Sequence, residues 1–385
     1  MSIVEPISGE TTHASENGFK RLSIEFTGSS REFFNIWIVN LLLTLLTLSL
    51  YWPYARARRL RFFHNHTLID GHPLGFHGLP SSMFISHLVL LATSAIYFAT
   101  EYFLPAFDWV GTVIFLVLWP ALWRASLKFR MLNTSWRGSR FSFAGDLKGA
   151  YQTVVPIFFP VLLIAVLPHL TPFIKDFPVS EARLIGGITI LSLLMLPLLL
   201  AQLKRYQHGG YVFLSERTQL STTTPQFYGL LVIQLTLFFG LMVLVICLGF
   251  ADQLLPNKYH LNSTHRSLLT ASLAYFLVVT VNYSSTVARF QNILWSGTAS
   301  DRIRFSSNLG GFAYIGLSLK NWVLIVMTLG LFWPFAIISA NRMRLSAMQV
   351  WVAESVENWE GPLSTPTQGV LGDATGDFFG LDLGI

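Results

Sequence analysis

The chain alternates between long apolar runs and short basic or turn-rich stretches. Residues 83–104, 109–127, 151–170, 184–203, 227–250 and 268–288 are each mostly apolar. About 20 such residues are what a helix needs to cross a hydrocarbon core of roughly 30 Å. Two further runs, 33–52 and 320–340, are long enough but interrupted, with plausible breaks at Thr47-Leu48-Ser49 and Thr328-Leu329-Gly330. The pattern predicts an all-α polytopic membrane protein of eight hydrophobic segments. If the first and last segments cross fully, both termini lie outside; if they are re-entrant, both lie inside. Full crossing is the expectation adopted here.

Between the apolar runs the period changes. Arg-Phe-Ser-Phe at 140–143 and Arg-Ile-Arg-Phe at 302–305 alternate with period two, and Asp70-Gly71 is a tight-turn dipeptide. These predict short β-hairpins. Trp52-Pro53 and Trp119-Pro120 superpose when LYWPYARARRLRFF (50–63) is aligned with VLWPALWRASLKFR (117–130), and Trp333-Pro334 recurs near the end. Eight residues after Pro53, Pro120, Pro197 and Pro334 stand Arg61, Lys128, Arg205 and Arg342. In the remaining copy Arg289-Phe290 is aligned without a proline. With the endings FTG, FHG, FAG and FSS, the unit reads as strand, apolar segment, basic helix and hairpin, about five times over.

Charge assigns the sides. Only 12% of the 385 residues are charged against 52% hydrophobic, mean hydropathy is +0.52 and net charge is +6. One set of loops carries Arg56, Arg58, Arg59 and Arg61, then Arg124, Lys128, Arg130, Arg137, Arg140 and Lys148. It continues with Lys204, Arg205 and Arg217, then Arg289, Arg302, Arg304 and Lys320. The alternate loops carry Lys175, Arg183, Lys258 and Arg266. By the positive-inside rule the first set is cytoplasmic. Trp52, Trp119 and Trp333 then stand where an interfacial aromatic belt belongs. Beside them Arg56, Arg58, Arg59, Arg61, Arg124, Lys128, Arg130, Lys204, Arg205, Arg289 and Arg342 are candidates for contact with anionic headgroups. Nearly every cationic cluster directly follows an apolar span, so no nucleic-acid partner is expected. The opening residues lack an apolar h-region and are not expected to be a signal peptide. Residues 1–20 are expected to be disordered, 21–350 to form the membrane domain, and the acidic tail 351–385 to be mostly disordered. Its last part, DFFGLDLGI, is expected to dock on the basic hairpins or on a partner.

The run from FTGSSREFF through TLSLYWPYARARRLRFFHNHTLIDGHPLGFHG, with MTLGLFWPFAIISANRMRL near the end, resembles the bacterial YjgN-like inner-membrane proteins, a domain of unknown function. The resemblance covers nearly the whole chain. It implies a polytopic protein of the bacterial inner membrane and brings no catalytic residues with it. Where the family pattern has glycine after Thr-Leu, this chain has Ser49 in the first copy and Gly330 in the last.

Candidate chemistry is sparse. His64, His66, Asp70, His72 and His77 are types that ligate transition metals, but their spacing matches no compact motif, so a polar hairpin is expected, with no metal and no cofactor. Neither Gly-x-Ser-x-Gly nor His-Glu-x-x-His is present, and no catalytic residue is assigned. Cys247 is expected to be a small buried hydrophobe. The span cores hold no acid or base, only Asn35, Asn40, Thr44, Thr47, His87, Gln202, Gln234 and Asn282. His87, Gln234 and Asn282 could line a polar path if they converge; otherwise such side chains join helices. The leading functional reading is a scaffold or binding protein of the envelope. A channel or transporter for a small neutral or anionic solute, and a membrane enzyme acting on lipid, are the alternatives.

Overall fold

The computed structural model describes residues 15–16, 18–103, 108–170, 181–254 and 263–353, so the tail from residue 354 lies outside the described residues. The helices come in sequential pairs. These are α1 (Ser30–Leu46) with α2 (Trp52–Asn65), α3 (Pro80–Phe103) with α4 (Asp108–Asn133), and α5 (Leu147–Leu170) with α6 (Glu181–His208). α7 (Thr224–Leu254) pairs with α8 (Ser263–Ser296), and α9 (Gly311–Met327) with α10 (Trp333–Ser346). Each helix packs on its neighbours in sequence and α10 returns to α1, so the helices close a ring. Among the described residues four helices, and not the eight segments expected, are long and apolar enough to cross a membrane, over Pro80–Thr100, Arg183–His208, Thr224–Cys247 and Leu268–Ser296.

Under one end of this ring lie the strands. They are β1 (Ser15–Glu16), β2 (Phe19–Leu22), β3 (Ile24–Phe26), β4 (Thr67–Ile69), β5 (His72–Phe76), β6 (Thr134–Trp136), β7 (Ser139–Phe143), β8 (Tyr211–Phe213), β9 (Glu216–Arg217), β10 (Gln219–Leu220), β11 (Thr298–Ala299), β12 (Ile303–Ser307) and β13 (Met348–Val352). They form a 6-stranded sheet, β1-β2-β13-β12-β11-β10, and a 7-stranded sheet running from β3 to β9 in order. β2 continues into β3 across Ser23, and β9 into β10 across Thr218, so the two sheets join at both ends into a closed antiparallel circuit. Trp351 and Val352, assigned above to the disordered tail, are strand residues opposite Arg21 and Lys20, which likewise corrects the boundary at residue 20. The cause is the circuit itself, since an unpaired last strand would leave an open edge.

The hairpin turns and exits follow local chemistry. Asp70-Gly71 and Arg137-Gly138 both have positive φ through their two turn residues, the requirement of the two-residue hairpin. At each hairpin exit the chain passes over its own aromatic ring. A Cβ at Gly78 would meet the Phe76 ring at 2.5 Å, and at Gly145 the Phe143 ring at 2.5 Å. The recurrent Phe-x-Gly is thus a packing requirement. The residue between donates its N–H to the end of the next basic helix: Thr27 to the His66 carbonyl at 2.9 Å, His77 to Asn133 at 2.8 Å, and Ala144 to Gly210 at 2.8 Å. Ser221 to Gly297 at 2.8 Å and Asn308 to Ala347 at 3.0 Å complete the set. Inside the strand circuit one apolar cluster draws Leu22, Trp136, Phe213, Ile303, Val350 and Val352, with Ile69, Leu74 and Phe305 against it, from every hairpin.

Segments 33–52 and 320–340 are not continuous helices, contrary to the straight crossing expected of them. α1 stops at Leu46 and α9 at Met327, and each chain reverses. Phe33 packs on Phe62 and Asn40 donates to the Ala55 carbonyl at 3.3 Å, which makes α1 and α2 an antiparallel hairpin. Leu48 and Ser49 have φ of 47° and 72°, Leu329 and Gly330 of 51° and 92°. A threonine hydroxyl bridges each tip. Thr47 Oγ1 donates to the Leu43 carbonyl at 2.7 Å and accepts from Tyr51 N at 2.9 Å. Thr328 Oγ1 donates to Leu324 at 2.7 Å and accepts from Phe332 N at 2.9 Å.

Candidate functional site

Two sets of residues are candidates: the cations of the lower turns of the basic helices, and the polar side chains of the spans. In four of the five units a cation or amide five residues before the carbonyl that accepts the hairpin N–H also holds a hairpin exit. Arg61 donates to the Gly78 carbonyl at 3.1 Å, and Arg342 to Gly28 at 3.1 Å. Arg205 donates to Thr222 at 3.1 Å and to Thr224 Oγ1 at 2.9 Å. In α4 the residue at this spacing, Lys128, is exposed, and Arg124 one turn earlier donates to Gly145 at 2.7 Å.

The fourth copy corrects the alignment. Asn292, and not Arg289, stands five residues before Gly297, and its Nδ2 donates to the Leu309 carbonyl at 3.0 Å. Its Oδ1 accepts from Leu309 N at 2.7 Å and from Ser307 Oγ at 2.9 Å. Ser284, fully buried, stands where the other copies have proline. Counting back from the helix end, instead of forward from the proline, is the signal that finds Asn292.

Not every predicted interface residue is at the surface. Trp119 is buried against Phe158, its ring centroid 6.5 Å away. Arg56 is buried with its guanidinium 5.5 Å from the Trp52 ring centre. Lys204, 2% exposed, donates to Gln207 Oε1 at 2.9 Å and lies 5.6 Å from the Phe290 ring centre. The cause is that α2, α4 and α6 each pack on a helix to either side, so a helix face that sequence alone reads as interfacial is covered. Arg130 is half-buried. Arg58, Arg59, Lys128, Arg289 and Arg342 are exposed, and Arg58 lies 5.8 Å from the Tyr51 ring centre. Trp333 meets Trp322 at 6.0 Å.

The span residues do not converge. Gln234 Nε2 donates to the Asn282 carbonyl at 2.8 Å and to Thr286 Oγ1, and Ser285 Oγ donates to Gln234 Oε1 at 3.3 Å, all at the α7–α8 contact. His87 instead stacks on Trp52 at 5.5 Å, between α2 and α3. Such bonds join helices in a medium without water. Cys247 is exposed on α7, where burial was expected, because that face of α7 has no protein neighbour.

The histidines of the first hairpin take separate partners. His64 Nδ1 contacts the Leu60 carbonyl at 2.7 Å, His66 Nδ1 the Phe62 carbonyl at 2.8 Å, and His72 Nδ1 the Asp70 carbonyl at 2.8 Å. His77 Nε2 meets Ser135 Oγ at 2.8 Å; burial, with Arg140 and Arg61 nearby, lowers its pKa from the ordinary histidine value. Among the described residues no group of His, Cys, Asp and Glu is placed to hold a metal ion.

Comparison with known proteins gives one family and a few relatives. The family described as bacterial protein of unknown function (DUF898) matches residues 21–378. The chain is 22% identical to inner membrane protein YjgN of Salmonella typhimurium over 334 residues, 81% of this chain and 84% of that protein. To inner membrane protein YjgN of Escherichia coli O157:H7 it is 31% identical over 142 residues, 37% of this chain and 35% of that one. No solved structure matches the chain.

Proposed function

The chain belongs to the DUF898 family of bacterial proteins of unknown function, and from that premise we propose that it is a multi-pass scaffold of the inner membrane whose cytoplasmic face binds anionic headgroups. The observation that carries this reading is a level. At 1.5 Å per residue, Arg61 and Lys128 stand about 7 Å, and Arg58, Arg59 and Arg289 about 10–12 Å, above the helix ends that rest on the strands. On α1 the exposed large apolar side chains begin at Val39, nine residues from the helix start and so about 14 Å up. Measured against α1, these exposed cations lie beneath the lipid-facing surface, where headgroup phosphates lie. Each contributes about 1 kcal/mol near an anionic surface.

In this reading the strand circuit is cytoplasmic, α3 to α8 cross the bilayer, and α1–α2 and α9–α10 enter and return, which puts both termini in the cytoplasm. The whole is five copies of one unit: helical pair, basic lower turns, hairpin. The apolar cluster filling the strand circuit, and the separation of His87 from Gln234 and Asn282, favour a scaffold over an axial path.

The test is stability of the purified protein in vesicles. A variant carrying Arg58→Gln, Arg59→Gln, Lys128→Gln and Arg289→Gln should lose the extra thermal stability that anionic over zwitterionic lipid confers on the natural chain. Equal stability of the natural chain in both lipids would sink the proposal.

A further inference from the structure

The wall of the helical ring has two heights. All helices start or end at the strands, so their lengths are their heights. α1 and α9, of 17 residues each, rise about 25 Å, and α2 and α10, of 14 each, about 21 Å. α3 and α5, of 24 residues, rise about 36 Å, α4 (26) about 39 Å, α6 (28) about 42 Å, α7 (31) about 46 Å and α8 (34) about 51 Å. The short helices are contiguous in the ring, in the order α9, α10, α1, α2, because α10 packs on α1. One side of the ring is therefore a notch, at least about 11 Å deep and four helices wide.

The floor of that notch has a particular chemistry. Its tips present Leu48 and Leu329, 89% and 95% exposed. An irregular turn open to lipid does not persist in dry hydrocarbon, because its free carbonyls have no donor. Here every tip N–H from Thr47 to Trp52, and from Thr328 to Trp333, has an acceptor. The backbone N–H groups of the first turn all go to other acceptors, which leaves the carbonyls of Leu46, Leu48 and Leu50 without a backbone donor from the turn. Around the tips stand aromatic side chains with polar edges: Tyr51 stacked on Tyr54, Trp52 on His87, and Trp322 against Trp333. Such residues belong at the level of water and headgroups. On α1 the tip stands about 11 Å above Val39, the first exposed large apolar side chain of that helix, less than half of a core of roughly 30 Å.

We propose that the outer leaflet is drawn into this notch, so that a phospholipid headgroup rests on the tips and the bilayer is locally thinned. Headgroup water then supplies the donors that the tip carbonyls lack, and the aromatic cluster sits at an interface and not at mid-membrane. The occupant is a phospholipid and not free solvent, because the exposed leucines at the tips need acyl chains beside them. The proposal rests on the orientation argued above, with the strands in the cytoplasm.

Depth-dependent quenching tests it. In a Cys247→Ser background, a fluorophore is attached at Leu48→Cys, at Leu329→Cys and, as a control at the same height on the tall wall, at Val243→Cys. Vesicles contain phospholipid with a nitroxide either on the headgroup or at mid-chain. At residues 48 and 329 the headgroup nitroxide should quench more than the mid-chain nitroxide, and at 243 the order should reverse. Stronger mid-chain quenching at the tips, or weak quenching by both lipids, overturns the proposal. Labelling of Ser296→Cys and Tyr102→Cys in whole cells by a membrane-impermeant maleimide separates the two failures. Reaction at 102 alone keeps the orientation, whereas reaction at 296 alone removes it and the notch proposal with it.

Discussion

Replacing Thr47 by valine removes one oxygen and keeps the shape. In the folded chain that oxygen donates to the Leu43 carbonyl at 2.7 Å and accepts from the Tyr51 N–H at 2.9 Å. Leu43 would not be orphaned, since its carbonyl also accepts from Thr47 N at 3.0 Å. Tyr51 N would have nothing. An unsatisfied buried N–H costs about 1–3 kcal/mol; Tyr51 N is only part-buried, so Thr47→Val should destabilise by about 1 kcal/mol, as should Thr328→Val. Because the two tips have separate partners, the double variant should lose about the sum. At 1.4 kcal/mol per factor of ten, local opening at the Tyr51 amide should speed its exchange about 5-fold. Thr47→Ser keeps the hydroxyl and should restore most of the loss. Thermal unfolding in detergent gives the first quantity and hydrogen exchange read by mass spectrometry the second. Unchanged stability and unchanged protection of Tyr51 in Thr47→Val would refute the hydroxyl-bridged turn.

Three further outcomes are expected. Gly145→Ala would place a methyl 2.5 Å from the Phe143 ring and 2.7 Å from Tyr206 Oη, costing about 1–3 kcal/mol; Gly229→Ala, with open space around it, should gain up to about 1 kcal/mol, both read by melting. Asn292→Ala leaves the Leu309 carbonyl and amide without their partner and should cost about 1–3 kcal/mol, whereas Arg289→Ala should change melting little. His77 is held below the ordinary histidine pKa by burial and by Arg140 and Arg61. The unfolded chain therefore takes up a proton first as pH falls through 6.5, and stability drops from there toward the folded pKa. His77→Gln should flatten that part of the melting-against-pH curve.

Four of the expected spans, near 83–104, 184–203, 227–250 and 268–288, were legible because about 20 apolar residues have few alternatives. The hairpins were legible because Asp70-Gly71 and the alternation at 140–143 are local signals. Both tips were visible as Thr-Leu breaks, but whether they turn back depends on contacts such as Phe33 with Phe62 and Asn40 with Ala55, which no window shows. The fourth copy was misaligned by three residues because Arg289 has the expected charge, while Asn292 does the same work with an amide. Trp119, Arg56 and Lys204 were placed at the interface because their neighbours in space come from other units. Closure of the strands was not legible, since Val350 opposite Leu22 is a pairing between the two ends of the chain.

That last pairing bears on synthesis. β2 leaves the ribosome before α1, yet its partner β13 is made after α10. Throughout translation the nascent protein carries an unmatched strand at the membrane surface, a template for mispairing with another chain. Any product stopped before residue 348 would keep that adhesive edge permanently, so premature termination, even just past α10, should yield sticky debris and not a slightly shortened protein.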